Sequence, residues 1–117
     1  MSDSICTLDL TTTDGLNKMI NAHGCAVALS GVEVGTALDI DGIMIEDGTR
    51  TNGDACHNTY LFAVDGTVYF TQSVGIYRSA KSICDFAADR VSAGVTATLN
   101  EVALGNGHTM KQLSFKF

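Results

Sequence analysis

A mainly β fold with two helices is predicted by three features of this 117-residue chain. An Asp-Gly pair, Asp65-Gly66, separates two runs rich in β-branched and aromatic residues, 59–64 and 67–71, which is a hairpin signal. Helical periodicity is confined to two stretches, near residues 16–22 and 74–91. Most of the remainder alternates apolar with polar side chains and is punctuated by glycine, as strands joined by turns are.

Residues 5–10 read as a short strand with Cys6, Leu8 and Leu10 on one face. Thr13-Asp14-Gly15 is a helix-start signal, because the threonine or aspartate oxygen can accept from free amides. The helix places Leu16, Met19 and Ile20 on one face and ends at Gly24. An apolar stretch over 25–34 follows. Over 37–46, Leu38, Ile40, Gly42 and Met44 then alternate against Asp39, Asp41, Ile43 and Ile45. The interspersed glycines predict one long bent strand or two joined by a kink. Residues 47–54 are polar and contain glycine, so they read as a mobile loop of the kind that carries function.

A two-residue turn at Asp65-Gly66 pairs 64 with 67, and outward 62 with 69, 61 with 70 and 60 with 71. One face then carries Tyr60, Phe62, Val64, Thr67, Tyr69 and Thr71; the other carries Leu61, Ala63, Val68 and Phe70. The second reads as core. The first, with aromatics among threonines, reads as a half-exposed platform. From 74 to 91 Ile76, Ala80, Ile83, Ala87 and Val91 share a helical face. Strands over 95–104 and 108–117 form a last hairpin around Gly105-Asn106-Gly107, with Leu113, Phe115 and Phe117 together. From Ala37 the order is strand, strand, strand, helix, strand, strand. That is the connectivity of a five-stranded OB-like barrel, here preceded by a short strand and helix, and an OB fold binds through its second and third strands.

The length predicts one domain over 1–117 with a core of its own. The opening residues lack the basic flank and apolar run of a signal peptide, and no stretch has the ~20 apolar residues of a membrane span, which predicts a cytoplasmic protein. The net charge of −6 means that any nucleic-acid binding must come from a local basic strip plus stacking. Residues 1–54 hold nine acids against Lys18 and Arg50, a balance of −7, while 55–117 hold four against Arg78, Lys81, Arg90, Lys111 and Lys116, a balance of +1. The acidic burden lies in the first half.

Four cysteines, Cys6, Cys25, Cys56 and Cys84, show no CxxC pair and read as reduced, buried thiols. His23-x-Cys25 and Cys56-His57 could supply zinc ligands, but neighbours on a strand point to opposite faces, so no metal is expected. His23, His57 and His108 carry no signature of a cysteine nucleophile's partner. Asp39, Asp41, Glu46 and Asp47 lack the spacing of a calcium loop. No phosphate-binding glycine motif or serine elbow is present. Neither an enzymatic activity nor a cofactor is expected.

Residues 60–73, the helix after them, the closing hairpin that stops on Leu113-Ser114-Phe115-Lys116-Phe117, and the stretch 16–22 together resemble a known family. It is that of the small single-stranded DNA-binding proteins of protein-primed, phi-twenty-nine-like podophages and related Gram-positive phages. The resemblance covers most of the chain in order of elements and is specific over about fifteen residues. It implies a non-enzymatic protein that coats DNA displaced during replication in the cytoplasm of a bacterial host. Its features fall on Phe62, Gly66, Tyr69 and Ser73. The Cys and His residues are outside the family pattern, and recruitment of partners by an acidic C-terminal tail is not expected.

The expected nucleic-acid-binding set is therefore Tyr60, Phe62, Tyr69 and Tyr77 for stacking, with Arg50, Arg78, Lys81, Lys111 and Lys116 for phosphates and the 47–54 loop closing over the strand. Single-stranded DNA is the expected partner, with phage replication proteins and self-association compatible with it. The alternative from another class is a phage-encoded module that sequesters a host factor or a nucleotide signal through its acidic surface. Such a module would ignore oligonucleotides.

Overall fold

The computed structural model describes residues 5–7, 11–105 and 107–116. Its elements are β1 (Ile5–Cys6), α1 (Thr13–Gly24), β2 (Val27–Ala28), a 3-10 turn (Leu29–Gly31), β3 (Ala37–Thr49), β4 (Ala55–Ala63), β5 (Val68–Thr71), α2 (Val74–Ala93), β6 (Val95–Ala103) and β7 (Thr109–Lys116). The predicted class holds: the protein is mainly β with two helices, and the sheet curls into a half-barrel. The path runs β2-β5-β4-β3-β6-β7, with β1 added beside β3. The expected face of Leu8 and Leu10 lies outside the described residues.

β3 is the one long bent strand, and its bend has a cause. Its pairing with β4 slips between Ile40 and Gly42, a bulge that leaves Asp41 without a partner in the ladder. One extra residue reverses the alternation beyond it. Leu38 and Ile40 therefore share a buried face with Ile43 and Ile45, and Gly42 and Met44 turn to the other side. Read at strict period two, Ile43 and Ile45 would have shared the face of Asp39.

The Asp65-Gly66 turn departs from the expected geometry. Ala63 N–H donates to Thr67 O at 2.8 Å and Gly66 N–H to Ala63 O at 3.0 Å, so the loop has three residues, 64–66. Only Gly66 takes positive φ, at 97°, while Asp65 stays at negative φ and accepts from Thr67 N–H at 2.9 Å. The register becomes Tyr60 with Phe70, Leu61 with Tyr69 and Phe62 with Val68. This is a correction to the predicted faces: Tyr60, Phe62, Val68 and Phe70 now share one face, and Tyr69 crosses to that of Leu61. The same turn recurs where Arg50 N–H donates to Asp54 O and Leu104 N–H to His108 O, with Gly53 and Gly107 at positive φ.

Each helix covers one face. α2 is capped by Ser73, whose hydroxyl accepts from Ile76 N–H. It buries Ile76, Ala80, Ile83 and Val91 against Ile43, Ile45, Leu61, Leu99 and Leu113. Ala87 is half-buried, because the helix breaks there, at φ −149° and ψ 38°. α2 also seals the edge of β7: Leu113 N–H donates to Ser79 Oγ at 3.2 Å, and Gly75 lies against the Lys111 carbonyl. An edge strand covered by a helix is protected from pairing with other chains. α1, capped by Thr12 rather than Thr13 or Asp14, lies over the opposite face, where Ala22 and Met19 pack on Met44, Tyr60, Phe62, Val68 and Phe70. Its larger aliphatics, Leu16 and Ile20, face solvent.

α1 is tied down by polar contacts. Lys18 Nζ meets Asp41 Oδ2 at 3.0 Å, and His23 Nε2 meets Glu46 Oε2 at 3.2 Å. Tyr60 donates to the other oxygen of Glu46 at 3.0 Å. Burial, with the Glu46 bond and charge adding to it, pushes the Tyr60 pKa up to about 12. The folded value exceeds the ordinary one near 10, so this contribution to stability is complete below about pH 10 and is lost as pH rises through about 12. Tyr60→Phe is expected to flatten that alkaline decline in denaturant melts recorded between pH 9 and 12; an unchanged decline would assign it to other groups.

Candidate nucleic-acid interface

The expected platform is dispersed by the fold. Tyr60 and Phe62, 6% and 1% exposed, are core beneath α1, which is a correction to the half-exposed surface read from the sequence. The physical cause is the second helix-covered face: the hairpin is a central part of the sheet, packed on both sides. Tyr69 is half-buried against the α2-side core and borders Leu38, Asp39 and Asp65. Lys116 stands at the far end of β7, bordering a hollow with Asp39, Val64 and Gly94. Tyr69 and Lys116 thus border neighbouring hollows that share Asp39 and Val64, away from the buried Tyr60 and Phe62.

The remaining expected residues meet where α2 begins. The hairpin β3–β4 runs past the sheet as an arm, pairing Glu46 with Asn58, Asp47 with His57, Gly48 with Cys56 and Thr49 with Ala55. The first three residues of the expected mobile loop, 47–49, are thus ordered strand, and 50–54 form the turn. The Arg50 guanidinium reaches back from that turn to donate to Gln72 O at 3.1 Å, and Gln72 Nε2 donates to Asn58 Oδ1 at 3.0 Å. The arm is thereby fixed to the residues that lead into α2.

On the α2 side of the arm, the His57 ring lies flat on Tyr77, with centroids 3.9 Å apart and planes 3° from parallel. Arg78 follows, exposed. Lys81 lies one turn further on, 2.8 Å from Asp85. Lys111 enters from β7 with its carbonyl against Gly75, and it stands opposite Glu101 in the ladder. Acids accompany these cations, with Asp47 3.8 Å from His57 in addition to Asp85 and Glu101, and Asp14, Asp41 and Asp65 border a groove between α1 and the 64–66 turn, on the other face of the sheet. The carboxyl of Asp65 is held below its usual range by the hydrogen bonds from Thr67.

Sequence reasoning gave His57 no part in the interface. Strand parity carried the signal, since His57 shares a face with Thr59 and Leu61 and so points toward the helix that buries Leu61. Cys56 and His57 do point apart, as adjacent strand residues must. The thiols are less buried than expected: Cys25 is exposed, and Cys56 and Cys84 are half-buried. Among the described residues no three His, Cys, Asp or Glu side chains gather as a metal site, and no helix is long and apolar enough to cross a membrane.

A curled, OB-like sheet with stacked rings beside guanidinium groups has the equipment of a protein that holds single-stranded nucleic acid. Comparison with known families gives the same class. Over residues 3–115 the chain matches the family of phi29-type phage single-stranded DNA-binding proteins, and it belongs to that family. No curated protein and no solved structure matches it significantly.

Proposed function

We propose that this protein coats single-stranded DNA without sequence preference during phage replication, by stacking and phosphate contacts and with no chemical step, in the cytoplasm of the bacterial host. The strand runs over the β3–β4 arm and the first turns of α2. The observation that carries this reading is the convergence of Arg50, Tyr77 and Arg78 at one junction, with Lys81 and Lys111 flanking it. Arginine suits the task, since its guanidinium can serve a backbone carbonyl and still present donors to a phosphate. With a net charge of −6, and with Asp47, Asp85 and Glu101 beside His57, Lys81 and Lys111, binding rests on stacking and on the two arginines rather than on a broad basic surface. Proteins of the replication machinery are the proposed protein partners.

Titration of tyrosine fluorescence with oligo-dT, and with duplex DNA as control, tests the binding. Quenching by the single strand alone is expected, with a shallow salt dependence because few cations are involved. Arg78→Ala is expected to weaken binding to all sequences alike and to lower the slope of log K against log salt by about 0.7, one phosphate contact. A slope identical to that of the unaltered protein would place Arg78 off the strand's path.

A further inference from the structure

We propose that His57 and Tyr77 are the two plates of a clamp that takes one unpaired base between their rings; the inference rests on the single-strand reading above. The rings lie parallel at 3.9 Å, each making with the other the contact it would make with a base. They stand on different elements, β4 and α2, and no hydrogen bond joins them. Both are half-buried, so the pair is reachable from solvent.

The closed pair leaves a cost unrelieved. His57 Nδ1 is buried without a hydrogen-bond partner, and Asp47 Oδ1 lies 3.8 Å away, beyond hydrogen-bond reach. An unsatisfied buried nitrogen disfavours the state that holds it. Separating the rings by the thickness of one base replaces a single ring contact with two and opens Nδ1 to water. Arg78, exposed and next to Tyr77 in the chain, and Arg50, held to Gln72 O, are the cations assigned to the phosphates on either side of the inserted nucleotide. Since the contact is to a π-face, the clamp accepts any base, in keeping with binding that ignores sequence.

The test is an NMR study of the full chain bound to oligo-dT. Insertion predicts nuclear Overhauser effects from one thymine to the ring protons of both His57 and Tyr77, together with loss of the effect between the two rings. Persistence of the ring-to-ring effect in the bound protein overturns the clamp. In parallel, His57→Ala is expected to bind about tenfold more weakly, and His57→Phe, which keeps a plate, to stay within about twofold of the unaltered protein. A folded His57→Ala variant that binds undiminished also overturns it. Failure of the unaltered protein to bind would sink the single-strand reading itself, whereas binding with the ring pair intact sinks only the clamp.

Discussion

Phe62→Ala is expected to lower the stability of the folded protein by about 3–5 kcal/mol, the usual cost of emptying a buried aromatic site. Phe62 is 1% exposed, between Val68 on the neighbouring strand and α1 above, with Tyr60 and Met44 in the same cluster. Domains of this kind are stable by only about 5–15 kcal/mol, so the loss is a large share of the total. Urea unfolding should show a lower midpoint at an unchanged slope. The fraction that remains folded should bind oligo-dT as the unaltered protein does. Had the residue belonged to an open platform, the pattern would be reversed: ordinary stability and impaired binding.

The second large effect is at Gly75. In an ordinary helix Gly→Ala stabilises by roughly 0.5–1 kcal/mol, because alanine loses less backbone freedom on folding. Here the sign inverts. A Cβ on Gly75 would overlap the Lys111 carbonyl oxygen and sit 2.7 Å from Met110 Cγ. Either α2 or β7 must give way, and the bond from Leu113 N–H to Ser79 Oγ goes with the displacement. Gly75→Ala is therefore expected to destabilise by about 1–3 kcal/mol, the range of overpacked sites. Because the arm–α2 junction begins at Ser73, DNA affinity should fall as well. Thermal and urea melts check the first part; a variant as stable as the parent would show that helix and strand approach less closely than described.

Several elements were legible because their signals are local. The face of α2 formed by Ile76, Ala80, Ile83 and Val91 follows from helical period alone. The hairpins follow from Asn-Gly and Asp-Gly pairs between alternating runs. What failed was counting. A two-residue turn and a three-residue loop ending in glycine carry the same dipeptide, and they differ by one residue of register. That single residue moved Tyr69 across the sheet and paired Tyr60 with Phe70. A similar slip hid in β3, where the bulge at Asp41 resolved the conflict of isoleucines alternating with acids.

The expected site residues are divided by the fold for a different reason. Arg50, Tyr77, Arg78, Lys81 and Lys111 were named as individual residues, and long-range packing brought them together at one junction. Tyr60 and Phe62 were misplaced because α1 offered no strong apolar stripe to announce that it covers them. It holds to the sheet through Ala22, Met19 and the carboxylates of Asp41 and Glu46, while Leu16 and Ile20 stay outside. A helix that packs through a small residue and polar ties leaves little trace in hydrophobic periodicity.

The most direct test of where the DNA lies is a map of backbone amide shifts on titrating the labelled full chain with oligo-dT at moderate salt. Shifts concentrated over 47–58, 73–81 and around Lys111 are expected, with the α1 face and the core around Phe62 unmoved. Shifts centred instead on Tyr60, Phe62, Phe70 and α1 would contradict the account and return the binding surface to the hairpin.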